Sequence, residues 1–125
     1  MGQPGLKGLP RLIAAFGNSV AGMKVCWRQE EAFRQEIVIA LLALPLGLWL
    51  GETAVERALL VASVWQIAIF ETLNSAVEAV VDRIGTEYHE LSGYAKDIAS
   101  ASVLLASFLA LLVWGLILYE RFFQG

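Results

Sequence analysis

Glu71, Asn74 and Glu78 are the residues of this chain best placed to do chemistry. They fall at i, i+3 and i+7, which sets all three on one face of a helix. That helix continues an apolar run beginning near Ala58 and looks long enough to cross a bilayer. An ionisable group at membrane depth costs on the order of a few kcal/mol, so such groups are rare and usually functional. A face of this kind is expected to meet other helices, a cavity or a ligand, and not lipid.

The residue types suggest what the face could do. Glu30 and Glu78, at one water boundary, could share a hard divalent cation, since Mg2+ commonly takes one or two carboxylates together with phosphate oxygens. Lys96 and Arg11 could hold phosphates on the same side. Glu71 lies roughly 10 Å deeper along the helix than Glu78. The lower dielectric there disfavours a charged carboxylate and suits it to accept a proton. A hydroxyl at that depth must belong to a lipid. Metal and phosphate at the surface, with a base beneath them, suggest phosphoryl transfer to a lipid alcohol. Two other readings compete: polar side chains that tie neighbouring helices into an oligomer, and a proton relay. The chain has no Gly-x-x-x-x-Gly-Lys-Ser/Thr loop and no protein-kinase catalytic loop, so a nucleotide would bind without those devices.

The elements that must position these groups follow from composition and periodicity. Of 125 residues, 58% are hydrophobic and 17% charged, and the mean hydropathy is +0.63. A soluble domain of this size could not hide so much apolar surface. The expectation is an all-α membrane protein with one domain. The net charge of −3 gives no reason to expect nucleic-acid binding. Cys26 is the lone cysteine, which excludes an internal disulfide; it reads as a small core or interface residue. No cleavable signal peptide is expected, because Arg11, Lys24 and Arg28 interrupt the polar N-terminal region. Met1 to Gly8, rich in glycine, is expected to fray.

Leu9, Ile13, Phe16, Val20, Met23 and Trp27 recur at steps of four and three, the stripe of an amphipathic helix lying in the membrane interface, at about 6–28. Three membrane spans are expected at about 32–50, 55–83 and 97–119. Pro45 is placed to kink the first, and Trp49 suits an interfacial belt. Trp65 and Trp114 read as belt or packing residues. Gly51-Glu52-Thr53 makes a short turn between antiparallel helices. Thr86 to Gly93 reads as a polar loop. Ser100, Ser102 and Ser107 supply small residues for close contact in the last span. Asp82 with Arg83 reads as a helix-end charge pair, and Arg34 with Glu36 as a further pair or part of a lipid cleft. Lys7, Arg11, Lys24, Arg28, Arg34, Arg83 and Lys96 lie on one side and only Arg57 and Arg121 on the other. The positive-inside rule then puts the N-terminus in the cytoplasm.

Glu71-Thr72-Leu73-Asn74-Ser75-Ala76-Val77-Glu78-Ala79-Val80-Val81-Asp82-Arg83, then Glu87-Tyr88-His89-Glu90-Leu91-Ser92-Gly93 and Ala95-Lys96-Asp97, closely resembles the signature of prokaryotic diacylglycerol kinases. Glu30 and Ala32-Phe33-Arg34-Gln35-Glu36 resemble the same family, and the likeness spans nearly the whole chain. It implies a homotrimer of three-span subunits in the bacterial inner membrane, each with an N-terminal surface helix. Active sites would lie between subunits near the cytoplasmic face. The implied reaction is MgATP plus diacylglycerol giving ADP and phosphatidic acid.

By the same resemblance Glu71 is the general base, Glu30 and Glu78 are the carboxylates that hold Mg2+, and Asn74 supports them. ATP contacts are implied for Arg11, Asn18, Glu30, Glu78, Glu87, Tyr88, His89, Lys96 and Asp97. The lipid cleft is implied for Arg11, Ala15, Ser19, Lys24, Trp27, Ala32, Phe33, Arg34, Gln35, Glu36, Trp49, Arg57, Glu71 and Ser100. The chain departs from the pattern at Asn18 and Val20, where a close relative carries Tyr and Trp, and at Ala14 and Tyr94, where basic residues are replaced. A related branch resembles undecaprenol kinases and offers a second substrate with a primary hydroxyl on an apolar tail. A non-enzymatic helical assembly or proton pathway is the alternative of another class.

Overall fold

A computed structural model describes residues 5–124. The fraying expected for Met1 to Gly8 falls partly on the first four residues, which lie outside the described ones. The chain forms four helices, α1 (Gly8–Gln29), α2 (Glu31–Leu50), α3 (Ala54–Ile84) and α4 (Glu90–Tyr119), followed by a π-helical stretch, Glu120–Gln124. Three helical stretches, Glu31–Leu50, Ala54–Ile84 and Glu90–Gln124, are long and apolar enough to cross a membrane. α3 is the hub: α2 and α4 pack along it, and α1 leans on both α2 and α3. α1 buries none of its residues; Leu9, Leu12, Ile13, Phe16, Met23 and Trp27 are exposed.

Small side chains and two long hydrogen bonds hold the hub. Ala40 and Ala43 of α2 meet Val64 of α3, with Trp65 and Trp114 against them. Ile67 of α3 meets Ala106 and Ala110 of α4. The close approach of α4 is thus made through alanines. Ser102 and Ser107, expected to provide it, donate back to Ala99 and Val103 of their own helix, and Ser100 is exposed. Trp65 and Trp114 serve as packing residues, and the indole N–H of Trp114 donates to Leu60 O at 3.0 Å. Gln66 Nε2 donates to Ala106 O at 2.7 Å. Each of these bonds gives a polar side chain a partner in an apolar setting. Outward, Leu41, Leu42, Leu104, Leu105, Leu111 and Leu112 are exposed, a surface too apolar to face water.

The helix ends are built differently at the two ends of the bundle. Only Glu30 separates α1 from α2; its backbone is extended and its N–H still donates to Cys26 O at 2.9 Å. Arg34 then reaches back one turn, its Nη1 donating to Trp27 O at 2.7 Å and Arg28 O at 3.3 Å. A cation there satisfies the orphan carbonyls of α1 and opposes the negative end of its dipole. No Arg34–Glu36 ion pair occurs among the described residues: the guanidinium is engaged by backbone instead. At the other end Thr53 caps α3, accepting from Glu56 N at 3.1 Å, while Glu56 accepts from Glu52 N. Arg121 ties the end of the chain to this turn through Leu50 O and Glu52. Thr86 to Gly93 is loop only as far as His89. The His89 side chain accepts from Leu91 N and caps α4, which therefore starts about two turns earlier than expected.

Gly51 closes the α2–α3 turn with no room to spare. A Cβ there would stand 2.5 Å from Arg57 Cγ and 2.8 Å from Arg57 N. Gly51→Ala is expected to destabilise the helical bundle by about 1–3 kcal/mol. Denaturation of purified protein in mixed micelles by added SDS, followed by circular dichroism, checks this.

Candidate functional site

The C-terminal half of α1 and the C-terminal half of α3 enclose a cavity of about 560 Å3 beside the elbow at Glu30. α1 contributes Ser19, Gly22, Met23, Val25, Cys26 and Gln29; α3 contributes Thr72, Ser75, Ala76, Glu78, Ala79 and Asp82. Glu30 lines it from the joint between helices. Glu30 occupies the position of an N-cap to α2, yet its side chain makes no capping hydrogen bond, which leaves the carboxylate for the cavity. Glu78 is half-buried and accepts from Asn74 Nδ2 at 3.2 Å. Glu71, two turns deeper, is 6% exposed and Asn74 8%. The face that holds Glu71, Asn74 and Glu78 is therefore turned into the protein.

Whether a divalent ion fits is a question of donors. Among the described residues no three His, Cys, Asp or Glu side chains are arranged to hold one by themselves. Three carboxylates, Glu30, Glu78 and Asp82, line the cavity, and Asp82 is paired with Lys96. Glu30 and Glu78 could hold Mg2+ together with phosphate oxygens, since that ion commonly takes only one or two carboxylates, but they do not form an all-protein cage.

Asp82 and Lys96 join the site from its open side. Lys96 Nζ meets Asp82 Oδ1 at 2.8 Å, linking the start of α4 to the end of α3. Asp82 had been set apart as a partner of Arg83; its partner is Lys96, and it lines the cavity. Its i+4 spacing from Glu78 is the signal that could have placed it there. Ser75, i+4 from Glu71, was missed in the same way.

The other expected site residues are dispersed within one chain. Glu87 and Tyr88 are exposed in the α3–α4 loop, and Asp97 is exposed on α4. Arg11, Ala15 and Asn18 lie exposed on α1. Lys24, Trp27 and Phe33 line a separate groove between α1 and α2. Arg34 and Gln35 line another on α2, next to exposed Ala32, and Glu36 opens onto an apolar groove between α2, α3 and α4. Trp49 stands at the opposite end of α2, about 30 Å from Glu30 by helix rise, and Arg57 lies in the first turn of α3 beside it.

The charged side chains that line the cavity are all acidic, and Cys26 lies among them. Burial first, and then the carboxylates of Glu30 and Glu71, push the Cys26 thiol above its ordinary value. A raised thiol holds less thiolate at neutral pH, and the thiolate is the nucleophile. Alkylation of Cys26 by iodoacetamide is expected to run slower than that of free cysteine at pH 7.5, with its rate–pH profile displaced upward. Mass-spectrometric rates across pH 7 to 10 measure this; a profile at or below that of free cysteine is the contrary result.

Comparison with known proteins gives the site its family. The model of the family described as prokaryotic diacylglycerol kinase matches residues 17–118. A diacylglycerol kinase of Escherichia coli strain K12 is 51% identical over 115 residues, covering 92% of this chain and 94% of that protein. One from Haemophilus influenzae is 50% identical over 112 residues, covering 90% and 95%. One from Pseudomonas aeruginosa is 40% identical over 114 residues, covering 91% and 93%. A match of this extent takes in both walls of the cavity, the elbow at Glu30 and the Asp82–Lys96 link, and the chain belongs to the prokaryotic diacylglycerol kinase family.

Proposed function

We propose that this protein is an inner-membrane lipid kinase that transfers the γ-phosphate of ATP to the hydroxyl of diacylglycerol. The observation that carries the reading is the placement of Glu30 and Glu78 in one cavity, with buried Glu71 on the same face of α3 about 10 Å deeper. Glu71 takes the proton of the lipid hydroxyl, and Asn74 holds Glu78 in place. Glu30 and Glu78 would hold Mg2+, which would supply neutralisation of charge on the transferring phosphate. Lys96, at the open side, faces the phosphates, and its bond to Asp82 holds it there when nucleotide is absent.

The exposed apolar stripe of α1 lies in the membrane interface, with Lys24 and Arg28 toward anionic headgroups. The N-terminus and the α3–α4 loop face the cytoplasm, where the cations concentrate. The functional unit is a homotrimer, as the family resemblance implies. The dispersal of Glu87, Tyr88, His89, Trp49 and Arg57 in a single chain supports sites completed by a neighbouring subunit. Undecaprenol, with its own primary hydroxyl and apolar tail, is the competing acceptor.

Glu71→Gln is expected to keep assembly and nucleotide binding and to lower turnover by about 10²–10⁴-fold. ADP release in mixed micelles, with diacylglycerol or undecaprenol added in turn, tests activity and acceptor together. Near-normal turnover in Glu71→Gln removes the general base. Turnover on undecaprenol alone reassigns the acceptor, and no ADP release with either lipid removes the kinase reading.

A further inference from the structure

Ser75 is buried, 9% exposed, and its Oγ has no hydrogen-bond partner. Its burial sets it apart from Ser92 and Ser100, helical serines on which no such bond is seen but which are not buried. Ser19, Ser63, Thr72, Ser102 and Ser107 each donate to a carbonyl three or four residues back in their own helix. Thr72 does so while lining the same cavity. Ser75 has carbonyls available in the same register and does not use them. A buried hydroxyl left without a partner is unfavourable, so native proteins match it to another group or to a bound molecule.

Its place narrows the partner. Ser75 lines the cavity one turn after Glu71 and three residues before Glu78, on the face that carries both. The charged groups in the wall are carboxylates, Glu30, Glu78 and Asp82. These repel a free anion and accept one that arrives with a cation. Between a deep base and a shallower cation site lies the group being transferred. The Ser75 hydroxyl, shielded from solvent as it stands, reaches one of its oxygens by turning about the Cα–Cβ bond to another staggered rotamer.

We infer that the Ser75 hydroxyl donates a hydrogen bond to an oxygen of the terminal phosphate of bound MgATP. The inference rests on the nucleotide reading of the cavity given above and adds a contact that distinguishes a triphosphate from a diphosphate. Asn74, whose Oδ1 is also buried without a partner, has its amide engaged by Glu78 and is an acceptor at its free end, so it does not substitute for this donor.

The test compares Mg2+-loaded ADP with Mg2+-loaded AMP-PNP, which keeps a third phosphate but is not turned over. Titration calorimetry on the full chain in detergent micelles measures both. Ser75→Ala is expected to weaken AMP-PNP by about 10-fold or more, the range for a hydrogen bond to a charged acceptor, and to leave ADP within twofold. In turnover assays kcat/KM for MgATP falls by a similar factor while KM for diacylglycerol stays within twofold. Ser75→Cys, of similar size with a weaker donor, is expected to show the same preferential loss and serves if the alanine variant is poorly folded. Equal affinity of variant and wild type for AMP-PNP overturns the inference, as does an equal loss for both nucleotides. Failure of the wild type to bind either nucleotide overturns the underlying reading as well.

Discussion

Carboxylates and an amide in the middle of an apolar helix can be kept from hydrocarbon only if other parts of the protein cover the face that carries them. That constraint organises the molecule. α3 bears Glu71 and Asn74, both buried, and it is the helix on which the other three helices pack. α2 and α4 meet it through alanines, whose small side chains bring the helices close. α1 meets it less intimately. Where α1 and α3 stand apart, the polar face opens into a cavity instead of closing into a core.

The elbow at Glu30 makes the opening chemically useful. A single extended residue joins two helices, so its position is set by both. Arg34 locks the joint through the last carbonyls of α1. The carboxylate of Glu30 is then free of capping duty, and Glu30 lines the same cavity as Glu78. A surface charge on a flexible loop would have no such fixed relation to a residue on another helix. At the far end the capped turn around Gly51 and Thr53, tied by Arg121, fixes the connection between α2 and α3.

Much of this was legible before any coordinates. The i, i+3, i+7 spacing identified the polar face, and its cost in an apolar setting said that it must be covered. Three apolar stretches of spanning length were evident, and the motif around Glu71 pointed to the family that the comparisons established. Where the reading went astray, a local pattern had been given its commonest meaning. Ser102 and Ser107 are partly buried and satisfy their hydroxyls on their own backbone, while Ala106 and Ala110 make the buried contact with Ile67. His89 looked like part of a loop, but its ring accepts from Leu91 N and begins α4. Asp82 beside Arg83 looked self-paired, although adjacent residues on a helix point apart; its partner comes from α4.

Sequence alone determined which residues share a face, because helical period is a local property of the backbone. It also determined that the chain is too apolar to fold around its own core in water. Only the tertiary structure decided that Glu30 and Glu78 line one cavity, that Lys96 reaches Asp82, and that the Ser75 hydroxyl is buried without a partner. Those relations depend on how far apart helices stand and how they are rotated. Interhelical distance and rotation arise from side chains packing over long separations in the chain, and no local repeat encodes them.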